Sequence, residues 1–184
     1  MLLQRDPRFE TIKPTLNDGK IHKFSDIFLY VKITSVARSL GKRTTRFKEL
    51  VANVEDFYIR ELVIIARLFN LTAEEVLSLV AKQLSPLTSV EEEVLFPGLA
   101  SLVNDGKIRL LSDILPYIEI SKLANLLGRN SSRLKELIEN VEDFQVKKLI
   151  EMSRHCGLSV SQIFSLIAAQ IDRRNIHGKN KMHM

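Results

Sequence analysis

Apolar positions along the chain fall at helical spacing. Between Phe57 and Phe69 they stand at Ile59, Leu62, Val63, Ala66 and Phe69, the i, i+3, i+4 stripe of a helix with one buried face. Asn70 follows as a helix stop, because asparagine tolerates the left-handed backbone of a C-terminal cap. Thr72 with Glu75, and Ser159 with Gln162, have the spacing of a capping box that opens a further helix. Val76, Leu77, Leu79, Val80 and Leu84 continue the first of these. Ser25 and Ser112 are predicted to cap short helices holding Ile27, Phe28 and Val31, or Ile114, Leu115 and Ile118. Gly19 and Gly106 are predicted to close a leader helix. No segment alternates with period two, so no sheet is expected.

The pattern occurs twice. Shifted by 87 residues, Leu16 to Leu84 overlays Val103 to Ile171 without a gap, with 29 identities in 69 positions. Asn17-Asp18-Gly19-Lys20-Ile21 falls on Asn104-Asp105-Gly106-Lys107-Ile108, and Asn53-Val54-Glu55-Asp56-Phe57 on Asn140-Val141-Glu142-Asp143-Phe144. Two copies are fewer than a solenoid needs, so the repeat reads as a duplicated, self-sufficient domain. The predicted helices are 8–18, 25–32, 34–40, 44–53, 57–69 and 72–84, with a second set 87 further on, whose leader begins near Val90 and bends at Pro97. The boundary is expected near Ser85-Pro86-Leu87-Thr88-Ser89, where Thr88 and Glu91 offer another capping box. The domains are therefore 1–85 and 86–172, with 173–184 as a frayed basic tail.

Within each copy one segment carries chemistry. Ala37 lies four residues before Gly41, and Phe47 six after it; Val36, Leu40 and Leu50 fill the remaining apolar slots. Ala124, Gly128, Leu134, Leu123, Leu127 and Leu137 repeat the arrangement. A small residue lets a following helix cross closely, a glycine turns the backbone through positive φ, and a bulky residue pins the second helix on the first.

This segment resembles the helix-turn-helix domain of the Cro and phage-repressor type, also called XRE-like. The resemblance spans roughly Asp26 to Leu79 and Asp113 to Leu166, and Leu62-x-x-x-Ala66-x-x-x-Asn70-Leu71 matches that family's last two helices. It implies an all-α fold of two tandem five-helix, lambda-repressor-like domains, each with a leader helix. It also implies binding of double-stranded DNA, with transcriptional regulation as the role. The groove-facing residues it implies are Arg43, Thr44, Thr45, Lys48 and Glu49, then Asn130, Ser131, Ser132, Lys135 and Glu136. Lys42, Arg46, Arg129 and Arg133 would flank them at phosphates. Lys42 and Arg129 stand where the family commonly has an apolar residue after the turn glycine. Glu55-Asp56 and Glu142-Asp143 would repel phosphate, or else cap the next helix.

Composition narrows the classes. The chain has 184 residues, 45% hydrophobic and 27% charged, with a net charge of +5. That suits a soluble helical protein and permits a polyanionic partner without requiring one. The Pro14–Leu84 segment carries 11 basic and 8 acidic residues, and Ser101–Ile171 carries 9 and 8, so the first copy is the more cationic. A single cysteine excludes an internal disulfide, and no signal peptide or membrane-length apolar run is seen, which together suggest a cytoplasmic protein. His155-Cys156 is the nearest approach to a nucleophile with a base, but Cys156 aligns with the core position of Phe69 and reads as a buried thiol. His177 and His183 have no compact ligand set around them. No enzyme, cofactor or metal is expected. The alternative to DNA binding is a helical protein-interaction or scaffold module with a protein partner.

Overall fold

The computed structural model describes residues 6–84 and 94–180, with side chains up to Ile176. It is all-helical, with no strand among the described residues. The chain divides into two units, 1–88 and 89–184. Thr88 and Glu91, and the whole stretch from Ser85 through the start expected near Val90, lie outside the described residues.

The first unit opens with a 3-10 helix, Pro7–Thr11, whose first N–H groups are served by Asp6; its carboxylate accepts from Arg8 N–H at 3.1 Å. It runs into α1, Ile12–Asn17, which Gly19 terminates at φ +71. A second 3-10 helix, Phe24–Leu29, leads to α2, Ile33–Ser39, and α3, Thr44–Ala52. A 3-10 turn, Val54–Asp56, precedes α4, Ile59–Leu68, and α5, Ala73–Leu84. The second unit repeats the order with α6, Leu99–Asn104, a 3-10 helix over Leu111–Tyr117, α7, Ile120–Leu126, and α8, Ser131–Glu139. It continues with the turn Val141–Asp143, α9, Val146–His155, and α10, Val160–Asn180.

Several expected boundaries and caps are corrected. The segments expected as helices from Ser25 and Ser112 are 3-10, and neither serine caps them. Asp26 and Asp113 do so by reaching back: Asp26 Oδ2 accepts from His22 N–H at 3.0 Å and Lys23 N–H at 3.1 Å, and Asp113 from Arg109 and Leu110 N–H. Glu55 and Asp56 sit inside a 3-10 turn instead of capping α4; Glu61 closes that helix start by accepting from Tyr58 N–H at 3.0 Å. Pro97 lies before α6, where Gly98 takes φ +102, and so does not bend a longer leader. The expected frayed tail is helical as far as Asn180, and Arg174 donates to the Glu139 carbonyl oxygen.

Two of the expected capping boxes, both within the described residues, are present. Thr72 N–H donates to Glu75 at 2.8 Å and Glu75 N–H to Thr72 Oγ1 at 3.1 Å; Ser159 and Gln162 do the same at 2.9 and 3.1 Å. Asn70 takes φ +56, as a left-handed stop requires. Cys156 is fully buried, and burial pushes its thiol up to about 12, so it is protonated and inert at neutral pH.

The core of the first unit is aromatic. Phe24, Phe28, Phe47 and Phe57 meet edge to face at centroid distances of 5.5 to 6.0 Å, and Phe9 meets Phe69 at 5.3 Å. In the second unit the aligned residues Leu111, Leu115, Leu134, Phe144 and Cys156 fill the same slots with mostly aliphatic side chains.

Candidate nucleic-acid interface

The helix pair α2–α3 is set by its connecting turn. Gly41 takes φ +65, Gly41 N–H donates to Arg38 O at 3.0 Å, and Lys42 N–H reaches back to Ala37 O at 2.8 Å. This is a Schellman closure, and it gives the Ala-x-x-x-Gly spacing a backbone reason: the alanine carbonyl receives the returning N–H. Ala37 is fully buried, and α2 packs against α3. Gly128 repeats the closure at φ +63, with Arg129 N–H donating to Ala124 O at 2.9 Å.

Beyond the turn, α3 buries Phe47, Leu50 and Val51, and α8 buries Leu134, Leu137 and Ile138. The opposite faces hold the sequence-predicted residues. Arg43, Thr45, Arg46, Lys48 and Glu49 are exposed, and Thr44 is half-buried at the start of α3. In the second unit Arg129, Asn130, Ser132, Arg133, Lys135 and Glu136 are exposed, with Ser131 half-buried.

Ion pairs sort these side chains further. Arg46 bonds Glu49 at 3.0 Å and Arg133 bonds Glu136 at 2.6 Å, each along one face of its helix. The hydrogen bond and charge of Glu136 raise the Arg133 pKa above its usual range. Lys42, expected at a phosphate, instead pairs with Glu61 at 2.5 Å, and that carboxylate is only 13% exposed. Its charge is thereby tied to α4. The aligned residues in the second unit are Arg129 and Lys148; Lys148 pairs with Glu151 at 2.6 Å, and Arg129 is exposed. Among the described residues, Arg43, Lys48, Arg129 and Lys135 lack an ion-pair partner.

The first turns differ as well. No side chain caps α3, whereas Asn130 caps α8 by accepting from Arg133 N–H at 2.7 Å. Asn130 Oδ1 is therefore engaged by its own helix. Among the described residues no group of three His, Cys, Asp or Glu side chains could hold a metal, and no helix is long and apolar enough to cross a membrane.

A bridging residue that the sequence pattern hid is Gln83, with its repeat Gln170. Gln83 Oε1 accepts from Ser25 N–H at 2.8 Å, and its Nε2 donates to Val51 O at 3.0 Å, near the C-terminal end of α3. The identity of the two glutamines in the repeat was the available signal. Comparison of the chain with family models, curated proteins and solved structures finds no match.

Proposed function

We propose that the chain binds double-stranded DNA through two tethered helix-turn-helix units, each of the lambda-repressor-like kind, and acts as a cytoplasmic, non-enzymatic transcriptional regulator. One observation carries this reading: two helices of the same length follow the same glycine turn, and each exposes the same Arg-x-Lys-Glu set away from its apolar face. Such a helix has the width to enter the major groove. Lys48 and Lys135 supply charge for phosphate or guanine, Glu49 and Glu136 suit the cytosine amino group, and Thr45 and Ser132 add short hydroxyls.

Arg43 begins the first helix without a capping role and can reach outward. Arg129 supplies the corresponding cation from the turn of the second unit. Tethering places one reader near DNA once the other has bound, at an effective concentration of about millimolar for a short linker. Because the first turns differ, the DNA site is asymmetric.

Fluorescence anisotropy with a random-sequence duplex tests the reading. Affinity should fall steeply with salt, and Arg43→Ala with Lys48→Ala should weaken it about tenfold or more. Affinity that survives both the salt and the double substitution would remove the reading surface. The protein-interaction reading has one observation of its own: Leu29 is 80% exposed and adjoins the exposed Tyr30. Binding that is insensitive to salt and lost in Leu29→Ser would favour it.

A further inference from the structure

We infer that Gln83 and Gln170 are positioning residues that fix the reading helices in their units, an inference that rests on the DNA-binding reading for its consequence but not for its geometry. Each glutamine stands in the last helix of its unit and joins two segments distant in sequence. Gln83 takes the Ser25 N–H, 58 residues away, and gives its own N–H to Val51 O, 32 residues away. Gln170 takes the Ser112 N–H at 2.9 Å and donates to Ile138 O at 2.8 Å and Glu139 O at 3.1 Å. It is only 5% exposed.

The backbone groups it serves belong to helix ends. The last carbonyls of α3 and α8, and the first N–H groups of the 3-10 helices, have no partner inside their own helices. One primary amide satisfies both kinds, since it carries an acceptor and two donors on one planar group. A hydrophobic residue of equal length would leave both backbone groups unsatisfied. A carboxylate would keep the bond from Ser25 but face the Val51 carbonyl with a second acceptor. Only when protonated would it make both bonds.

The consequence is orientation. The glycine turn holds the N-terminal end of α3, and Gln83 holds its other end against the 3-10 helix and α5. A helix fixed at both ends presents Lys48 and Glu49 to bases at one angle. A helix fixed only at the turn still carries its charge to phosphates but loses the alignment that direct readout needs. The glutamines therefore act on preference among sequences more than on attraction to DNA.

The experiment uses the full chain with Gln83→Met and, separately, Gln83→Glu. Hydrogen exchange follows the α3 amides, and anisotropy follows two duplexes: a random one and one selected by the wild-type protein from a randomised pool. Gln83→Met should speed exchange at the end of α3 and reduce preference for the selected duplex by about tenfold, the scale of one hydrogen bond. Random-duplex affinity should change less than about twofold, within the scatter of a surface effect. Gln83→Glu should behave like Gln83→Met at high pH and recover toward wild type as the carboxyl protonates, a reversal that simple loss of packing would not give. Should Gln83→Met fail to fold, Gln83→Glu across the same pH range still decides. Unchanged α3 exchange and unchanged preference, or a Gln83→Glu variant indifferent to pH, would overturn the inference. A pool yielding no selected duplex would defeat the DNA reading, while the exchange measurements would still test the placement of the helix.

Discussion

The two units build one backbone design on different cores. The first packs Phe24, Phe28, Phe47 and Phe57 into an edge-to-face cluster; the second has Leu at three of those four places. The glycine turns, the reaching aspartates and the bridging glutamines recur in both at the same 87-residue offset. What repeats is thus the set of groups that settle backbone hydrogen bonds and positive φ. Apolar side chains vary so long as volume is filled, which is how cores generally tolerate change. The exposed faces diverge differently: Lys42 pairs with Glu61 in the first unit, whereas in the second the aligned Arg129 is exposed and the aligned Lys148 pairs with Glu151.

The largest effect should come from emptying the aromatic cluster. Phe47→Ala should destabilise the first unit by about 3–5 kcal/mol, and Leu134→Ala the second by about 2–5 kcal/mol. Phe47 should exceed Leu134, because its ring contacts two others, worth about 0.5–1.5 kcal/mol each beyond area. Phe47→Leu, which installs the second unit's residue, should cost clearly less than Phe47→Ala in denaturant melts of the full chain. Equal costs for the two alanine variants would deny the aromatic cluster any special weight.

A smaller effect separates the two helix stops. Asn70 and Gly157 both hold positive φ, at +56 and +66. A Cβ built on Gly157 would lie 2.8 Å from Val94 Cγ1, close by the point where Leu95 N–H donates to His155 O at 2.9 Å. Asn70→Gly should change stability by no more than about 0.5 kcal/mol. Gly157→Asn should cost about 1–3 kcal/mol, and Val94→Ala in the same chain should relieve it. No relief from that second substitution would locate the strain elsewhere.

The smallest effect is a difference in acid response. Burial works to raise the Glu75 pKa, but hydrogen bonds that its carboxylate accepts from Lys13 Nζ and Thr72 N–H outweigh it and hold the carboxyl below its usual value of 4.5. Its contribution is therefore complete above that value and is lost as the pH falls through the lower folded one. The side chain is 27% exposed, so the contribution should stay under about 1 kcal/mol. The second unit has Gln162 here, donating to Asn104 at 2.9 Å, and contributes no titration. Glu75→Gln should flatten the acid limb of the first unit's melting curve, and an unchanged limb would mean that other carboxylates set it.

Much of this architecture was legible in the chain because local rules govern it. The turn at Gly41, the stop at Asn70 and the box at Thr72 and Glu75 each depend on residues within five positions of one another. The exposed face of α3 was what the family resemblance implied, with Phe47 and Leu50 read as its apolar side. What escaped depends on distance or on competition between neighbours. Ser25 had the chemistry of a cap, but Asp26 competes better, having two acceptor oxygens and enough reach to bond the N–H groups before it. Lys42 looked available for phosphate until α4 brought Glu61 against it. Gln83 looked like an ordinary polar position near a helix end; its partners lie 32 and 58 residues away, and no local pattern encodes them.

The most direct test of the central claim is the salt slope of duplex binding in the wild type and in a chain with Arg43, Lys48, Arg129 and Lys135 all changed to alanine. Each phosphate contact contributes about 0.9 to the slope of log affinity against log salt. If these four side chains meet the backbone of DNA, the slope should become shallower by roughly two to four units, with melting unchanged. A slope identical in the two proteins would contradict the account, since it would mean that whatever duplex binding the chain has does not pass through the exposed faces of α3 and α8.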